Sequence, residues 1–180
     1  MKSLHFALLA VLLSLTTLTF AQSDSQKSFD VMKSLAGTWD GPVTLSPADH
    51  KMGNGNDKIQ VSMRVTSRGN ALVHEMRDPG TPDDPAKNDH PLTMLYLDNG
   101  RLLLTHYCDA GNRPRMTGTL SADGKTIDFD FLDVAGPTDH GHMQHATFTI
   151  IDANHHTEDW TYLMPGDKVM RGHMDLQRTK

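Results

Sequence analysis

The feature that most constrains this chain is a two-residue rhythm of apolar and polar side chains, cut into short pieces by tight-turn signals, which runs from Thr38 almost to the last residue. Ile59, Val61, Met63 and Val65 alternate with Gln60, Ser62 and Arg64. In an extended chain successive side chains point to opposite faces, so such a run lays an apolar row on a core and a polar row in water. Leu92 to Asp98 and Arg101 to Cys108 flank Asn99-Gly100, a pair that tolerates positive φ at both positions and suits a two-residue type I′ hairpin turn. Turn residues recur at Arg68 to Asn70, Ser121 to Lys125, Asp152 to Asn154 and Pro165 to Asp167. They bound further strands near Ala71 to Arg77, Arg115 to Leu120, Thr126 to Leu132, His145 to Ile151, His156 to Leu163 and Lys168 to Gln177. With Thr38 to Leu45 as the first, the pattern predicts about ten strands.

Consecutive hairpins close most economically on themselves, because closure removes the exposed strand edges. The expected fold is therefore all-β: an antiparallel up-and-down β-barrel, with an open β-sandwich as the competing arrangement. A short helix precedes it, since Phe29, Met32, Leu35 and Ala36 share one side, Ser25 or Ser28 can cap it and Gly37 can stop it. Two stretches break the rhythm and read as loops at the barrel ends, Asp78 to Pro91 with four prolines and Ala135 to Gly141. The first is long enough to act as a lid.

Lys2, the apolar run Phe6 to Leu18 and the small Ala21, followed abruptly by Gln22 to Gln26, have the form of a cleaved export signal over residues 1–21. The run is too short for a permanent membrane anchor. The barrel domain then occupies 22–180, and the compartment is periplasmic or extracellular. The chain has 17 basic and 22 acidic residues, which argues against nucleic acid as a partner, and its single cysteine excludes a disulfide framework. In an oxidising compartment Cys108 reads better as a small buried hydrophobe than as a reactive thiol.

Leu35-Ala36-Gly37-Thr38-Trp39-Asp40-Gly41, at the junction of helix and first strand, resembles the Gly-x-Trp opening of lipocalin-like (calycin) and nitrobindin-like barrels. That resemblance implies a Trp plugging the closed end under a basic residue from near the chain's end, a part Arg178 can take. Leu103 to Cys108 followed by Gly111 to Met116 resembles a family of exported bacterial proteins of uncharacterised function. The resemblance spans most of the chain beyond the leader and implies no activity. Nitrobindin-like barrels also imply haem held by a His near the C-terminus, which directs attention to His173. Alternation nevertheless puts His173 outside, because Met170, Met174 and Leu176 make the more apolar row.

Histidine carries the candidate chemistry. His140, His142 and His145 could gather around zinc or copper if Gly141 bends the chain, leaving an open coordination position for catalysis. The competing reading is a polar loop that is merely His-rich. His106 ends an apolar row, Leu102 and Leu104, and shares its face with Cys108; whether that face or the one bearing Leu103, Thr105 and Tyr107 looks inward is open. Glu75 shares a face with Ala71 and Val73, and if buried it needs a cation such as Arg113 or Arg115. His155-His156 at a turn reads as surface. The expected function is binding of a small, partly apolar molecule in the interior, with Glu75, His106 and Arg115 as polar contacts and Tyr107, Trp160 and Tyr162 as wall residues. The alternatives are a metal-binding protein or metal-dependent enzyme built on the His140 group, haem binding, and a filled barrel with a structural role. No nucleophile elbow, phosphate loop or dinucleotide fingerprint is present in the sequence.

Overall fold

Asp24–Ser34 forms the helix α1, and its cap is Ser23, N-terminal to both expected candidates, Ser25 and Ser28: the Gln26 amide donates to Ser23 Oγ at 3.2 Å. Ser28 does not cap; it is buried, and its hydroxyl returns to the Asp24 carbonyl at 2.7 Å. The structure, a computed structural model, describes residues 23–48, 57–82, 84 and 86–180. The expected leader, 1–21, lies outside the described residues, as do Asp83 and Pro85 of the long loop.

Ten strands follow the helix: β1 (Gly37–Ser46), β2 (Lys58–Thr66), β3 (Ala71–Arg77), β4 (Leu92–Asp98), β5 (Arg101–Tyr107), β6 (Arg113–Leu120), β7 (Thr126–Ala135), β8 (His142–Asp152), β9 (His155–Met164) and β10 (Lys168–Arg178). Each is antiparallel to its sequence neighbour, and β1 pairs with β10 to close the barrel, with Trp39 opposite Arg178. The expected barrel is thereby observed and the competing open sandwich excluded. At the β4–β5 turn both Asn99 and Gly100 take positive φ, 48° and 72°, as the type I′ reading requires.

The inward row is the apolar one on nearly every strand. It includes Ile59, Val61 and Met63 on β2, Leu102 and Leu104 on β5, Ile127 and Phe129 on β7, and Met174 and Leu176 on β10, all buried. Each such side chain contributes on the order of 1.5–3 kcal/mol by leaving water. The rhythm fails at two bulges near one end. The pairing of β6 with β7 jumps between Arg115, opposite Asp133, and Met116, opposite Phe131, and Phe131 beside the bulge is 39 % exposed. On β8 the register jumps between Met143 and His145.

The end bearing α1 is closed. Trp39 is wholly buried there and donates from Nε1 to the Leu35 carbonyl at 2.8 Å. Arg178 lies over its ring at 4.0 Å and donates to the carbonyls of Ser34, Ala36 and Ala153. These bonds satisfy orphan carbonyls at the end of α1, so one side chain both caps the helix and covers the plug. Gly37, at φ 148°, is required as glycine, because a Cβ there would lie 2.6 Å from the Lys180 carbonyl oxygen as well as against the Arg178 guanidinium. The opposite, open end carries the long loops 78–91, 108–112 and 136–141. Asn112 ties two of them together by donating to the carbonyls of Pro137 and Gly141 at 2.8 and 2.7 Å.

Candidate functional site

The inward row of β9 is His156, Glu158, Trp160, and it carries an ionisable cluster into the core. Trp160 pairs with Ala146 on one side and Gly172 on the other, which turns it inward, and the period of two takes Glu158 and His156 with it. On β3 the inward residues are Leu72, His74 and Met76, all buried. His74, Thr93 and His106 are direct neighbours across β3, β4 and β5, so they form one inward-facing row. All three are 0 % exposed.

Glu158 is the centre of this cluster. His74 Nε2 lies 3.1 Å from its Oε1 and 3.0 Å from its Oε2, His156 Nε2 lies 3.0 Å from Oε1, and Trp160 Nε1 donates to Oε2 at 2.9 Å. A carboxylate only accepts, so both imidazoles carry a proton on Nε2. Burial alone would raise the Glu158 pKa. The charge at His74 and the hydrogen bonds from His156 and His74 outweigh it and hold the carboxyl well below its usual range. His106 is pushed down to about 3, by burial first and the charge at His74 second, so it is neutral at physiological pH. The rings pack closely: His74 and His106 lie 5.7 and 5.6 Å from the Trp160 ring, and His156 stands edge-on to Trp39 at 4.2 Å. Three buried imidazole nitrogens have no partner among the described residues: His74 Nδ1, His106 Nε2 and His156 Nδ1.

Towards the open end the wall loosens beside Gly172. A Cβ placed there would meet only Leu45 Cδ2, at 3.4 Å, although Gly172 stands between the inward-facing Met170 and Met174 and opposite Trp160. Tyr162, Met170 and Leu45 around it are only partly buried. This combination, a dry polar cluster beneath a less filled apolar mouth, is what a small amphipathic molecule requires.

No family model matches the chain, and no curated protein matches it significantly. Among solved structures it is similar to Rv2717c from M. tuberculosis, with a TM-score of 0.58 and 12 % identity over 85 % of this chain and 98 % of that one. The likeness is one of fold. A weaker match, TM-score 0.41 and 9 % identity, is a protein with unknown function from the DUF3598 family of Nostoc punctiforme; it covers 82 % of this chain and 48 % of that one, so this chain spans about half its length.

Of the residues expected from the sequence, His106 and Trp160 lie in the interior cluster. Glu75, Tyr107 and Arg115 do not, because their strands turn the opposite row inward. Glu75 sits at the rim with its carboxylate 3.8 Å from His90 Nδ1, beside a groove of about 640 Å³ that also touches Cys108 and Asp109. Tyr107 is 41 % exposed. Arg115 pairs outside the barrel with Asp133, donating from Nε at 2.8 Å, and not with Glu75. Cys108 has left the His106 row for the rim, and burial raises its thiol pKa, which disfavours a reactive thiolate.

The three loop histidines are not gathered either. His142 donates from Nδ1 to the Met143 carbonyl and stacks on Phe131, His145 faces Asp130 at 3.5 Å, and His140 offers its carbonyl to the Tyr162 hydroxyl. Among the described residues no group of three or more His, Cys, Asp or Glu is placed to hold a metal ion. His173 lies outside, as alternation predicts, with Nδ1 2.7 Å from Asp159; a haem could not be held inside by that residue. His156, read as surface, is wholly buried. The signal that would have found the missed residues is the aromatic pair Trp160 and Tyr162. Fixing them inward fixes His156 and Glu158 inward as well, and Leu72 with Met76 does the same for His74.

Proposed function

We propose that this barrel is an exported binding protein for a small, partly apolar molecule, which enters by the open end and rests against Trp160 above the buried histidines. The observation that carries this reading is His106: an imidazole of 0 % exposure whose Nε2 has no partner among the described residues, in an interior whose other side chains are mostly Leu, Met, Phe and Trp apart from His74, Thr93, His156 and Glu158. A buried polar atom without a partner costs about 1–3 kcal/mol, a cost that a ligand's polar group removes. Gly172, which puts no side chain opposite Trp160 and where a Cβ would meet only Leu45 Cδ2, leaves the place where the apolar part would enter. Met76 and Met174, both nearly unexposed, are unbranched and polarisable and can shift to admit it. This reading assigns the protein no catalysis.

Titration with N-phenyl-1-naphthylamine, a neutral apolar fluorophore, tests it. Saturable one-to-one binding with energy transfer from tryptophan supports the proposal, as does its loss in Gly172→Leu, which fills the space beside Trp160 without altering a constrained backbone. A folded wild-type protein that gives no saturable signal overturns it.

A further inference from the structure

The protons on the row His74, Thr93, His106 can be assigned from hydrogen-bond supply. Thr93 is wholly buried, and among the described residues its hydroxyl has one hydrogen-bond partner, His106 Nδ1, at 2.9 Å. Were Nδ1 the donor, the Thr93 O–H would be left buried without an acceptor. Thr93 therefore donates to Nδ1, and the His106 proton sits on Nε2. On the other side, Glu158 is a full negative charge with no exposed surface and needs one positive charge beside it. His74, which faces both carboxylate oxygens, is the imidazole best placed to supply it, and as an imidazolium it carries N–H on Nδ1 as well. Two inward side chains, one on either side of Thr93, thus each present an unpaired, buried N–H, and both rings lie against the same Trp160 ring.

Two N–H donors without acceptors define the group that is missing: an oxygen that accepts. Resting on the ligand-binding reading above, we infer that the polar end of the ligand is a neutral carbonyl oxygen, accepted between His74 Nδ1–H and His106 Nε2–H, with the rest of the molecule apolar. A carboxylate fits less well. Glu158 and His74 already cancel, so an anion would add an uncompensated charge to a dry interior. His106 resists the proton that would balance it. In this arrangement Glu158 and Thr93 are positioning residues that fix which nitrogen of each imidazole bears the proton.

The test compares three probes of one skeleton near neutral pH: 2-acetylnaphthalene, 2-ethylnaphthalene and 2-naphthoate. The expected result is that the ketone binds about tenfold or more tighter than the hydrocarbon and tighter than the carboxylate, the gain of one to two buried hydrogen bonds. Its carbonyl stretch should move to lower wavenumber on binding. Thr93→Val, which frees the His106 tautomer, and His106→Phe should each erase the preference while hydrocarbon binding persists. Equal binding of ketone and hydrocarbon overturns the carbonyl seat and leaves the binding proposal standing; tighter naphthoate overturns it in favour of an anion. If none of the three binds, the broader reading fails with it. Independently of any ligand, long-range nitrogen–proton correlation spectra of the wild-type protein should show His106 protonated on Nε2, and a proton on Nδ1 defeats the assignment even if every variant misfolds.

Discussion

Glu158 and His74, 84 residues apart in the chain, meet across the barrel with both side chains wholly buried, joining β9 to β3 through Nε2–H bonds of 3.0 and 3.1 Å. Removing one partner strands the other. Glu158→Gln and His74→Phe should each lower the unfolding free energy by about 3–5 kcal/mol. The double variant should lose clearly less than the sum, because the second substitution removes a charge the first has left unpaired. Urea denaturation of the four proteins measures the coupling, and strict additivity would show that the pair is not one unit.

The same cluster makes stability fall in acid. The unfolded chain protonates its histidines near 6.5, whereas folded His106 takes its proton only at about 3. Between those values the unfolded state binds one proton more, so stability drops as pH falls through that window and is unaffected by His106 above it. Glu158, depressed below its usual 4.5, adds to the loss only below that pH. His106→Gln should therefore flatten the decline of the urea midpoint between pH 6.5 and 4.5 by about one proton's worth of slope. An unchanged slope would mean that His106 titrates normally in the folded protein.

Arg178 is a different kind of buried-end device, since it combines three carbonyl bonds with the face of Trp39. Lysine keeps the charge but not the planar fork. Arg178→Lys should cost about 1–3 kcal/mol in thermal or urea unfolding. Probe binding at the far end should not change.

The outer-face residues supply the negative control. Arg115→Ala, Tyr107→Ala and Glu75→Gln should leave N-phenyl-1-naphthylamine affinity within error of the wild type, because none of these side chains reaches the interior. The Arg115–Asp133 pair is exposed, and its loss should leave the unfolding midpoint nearly unmoved. A large loss of affinity in any of the three would relocate the binding surface to the outside.

The barrel was legible because alternation and turn chemistry are local. Asn99-Gly100 states its turn outright, and Ile59 to Met63 states its inward face. The site was legible only in part. His106 and Trp160 stood out as polar or aromatic members of apolar rows, but His74, His156 and Glu158 are polar residues on inward faces, where alternation counts them as errors. Their burial is explained only by one another, and partners 84 residues apart are invisible to any local pattern. The bulges on β7 and β8 hid the rest: the extra residue after Phe131 shifts the pairing of β7 with β6, and the extra residue after Met143 places His142 and His145 on one outward face, opposite Leu163 and Thr161.

Closure of the barrel brings Thr38 beside Lys180, with the Thr38 amide donating to the Lys180 carbonyl at 2.9 Å. The first strand thus begins and the last ends at the plugged pole, a full strand length from the mouth. A support or fusion attached through the C-terminus would hold the molecule upright with its opening towards solvent. Joining the two ends and cutting at Asn99-Gly100 would relocate both termini without disturbing that orientation, since this hairpin lies at the same pole.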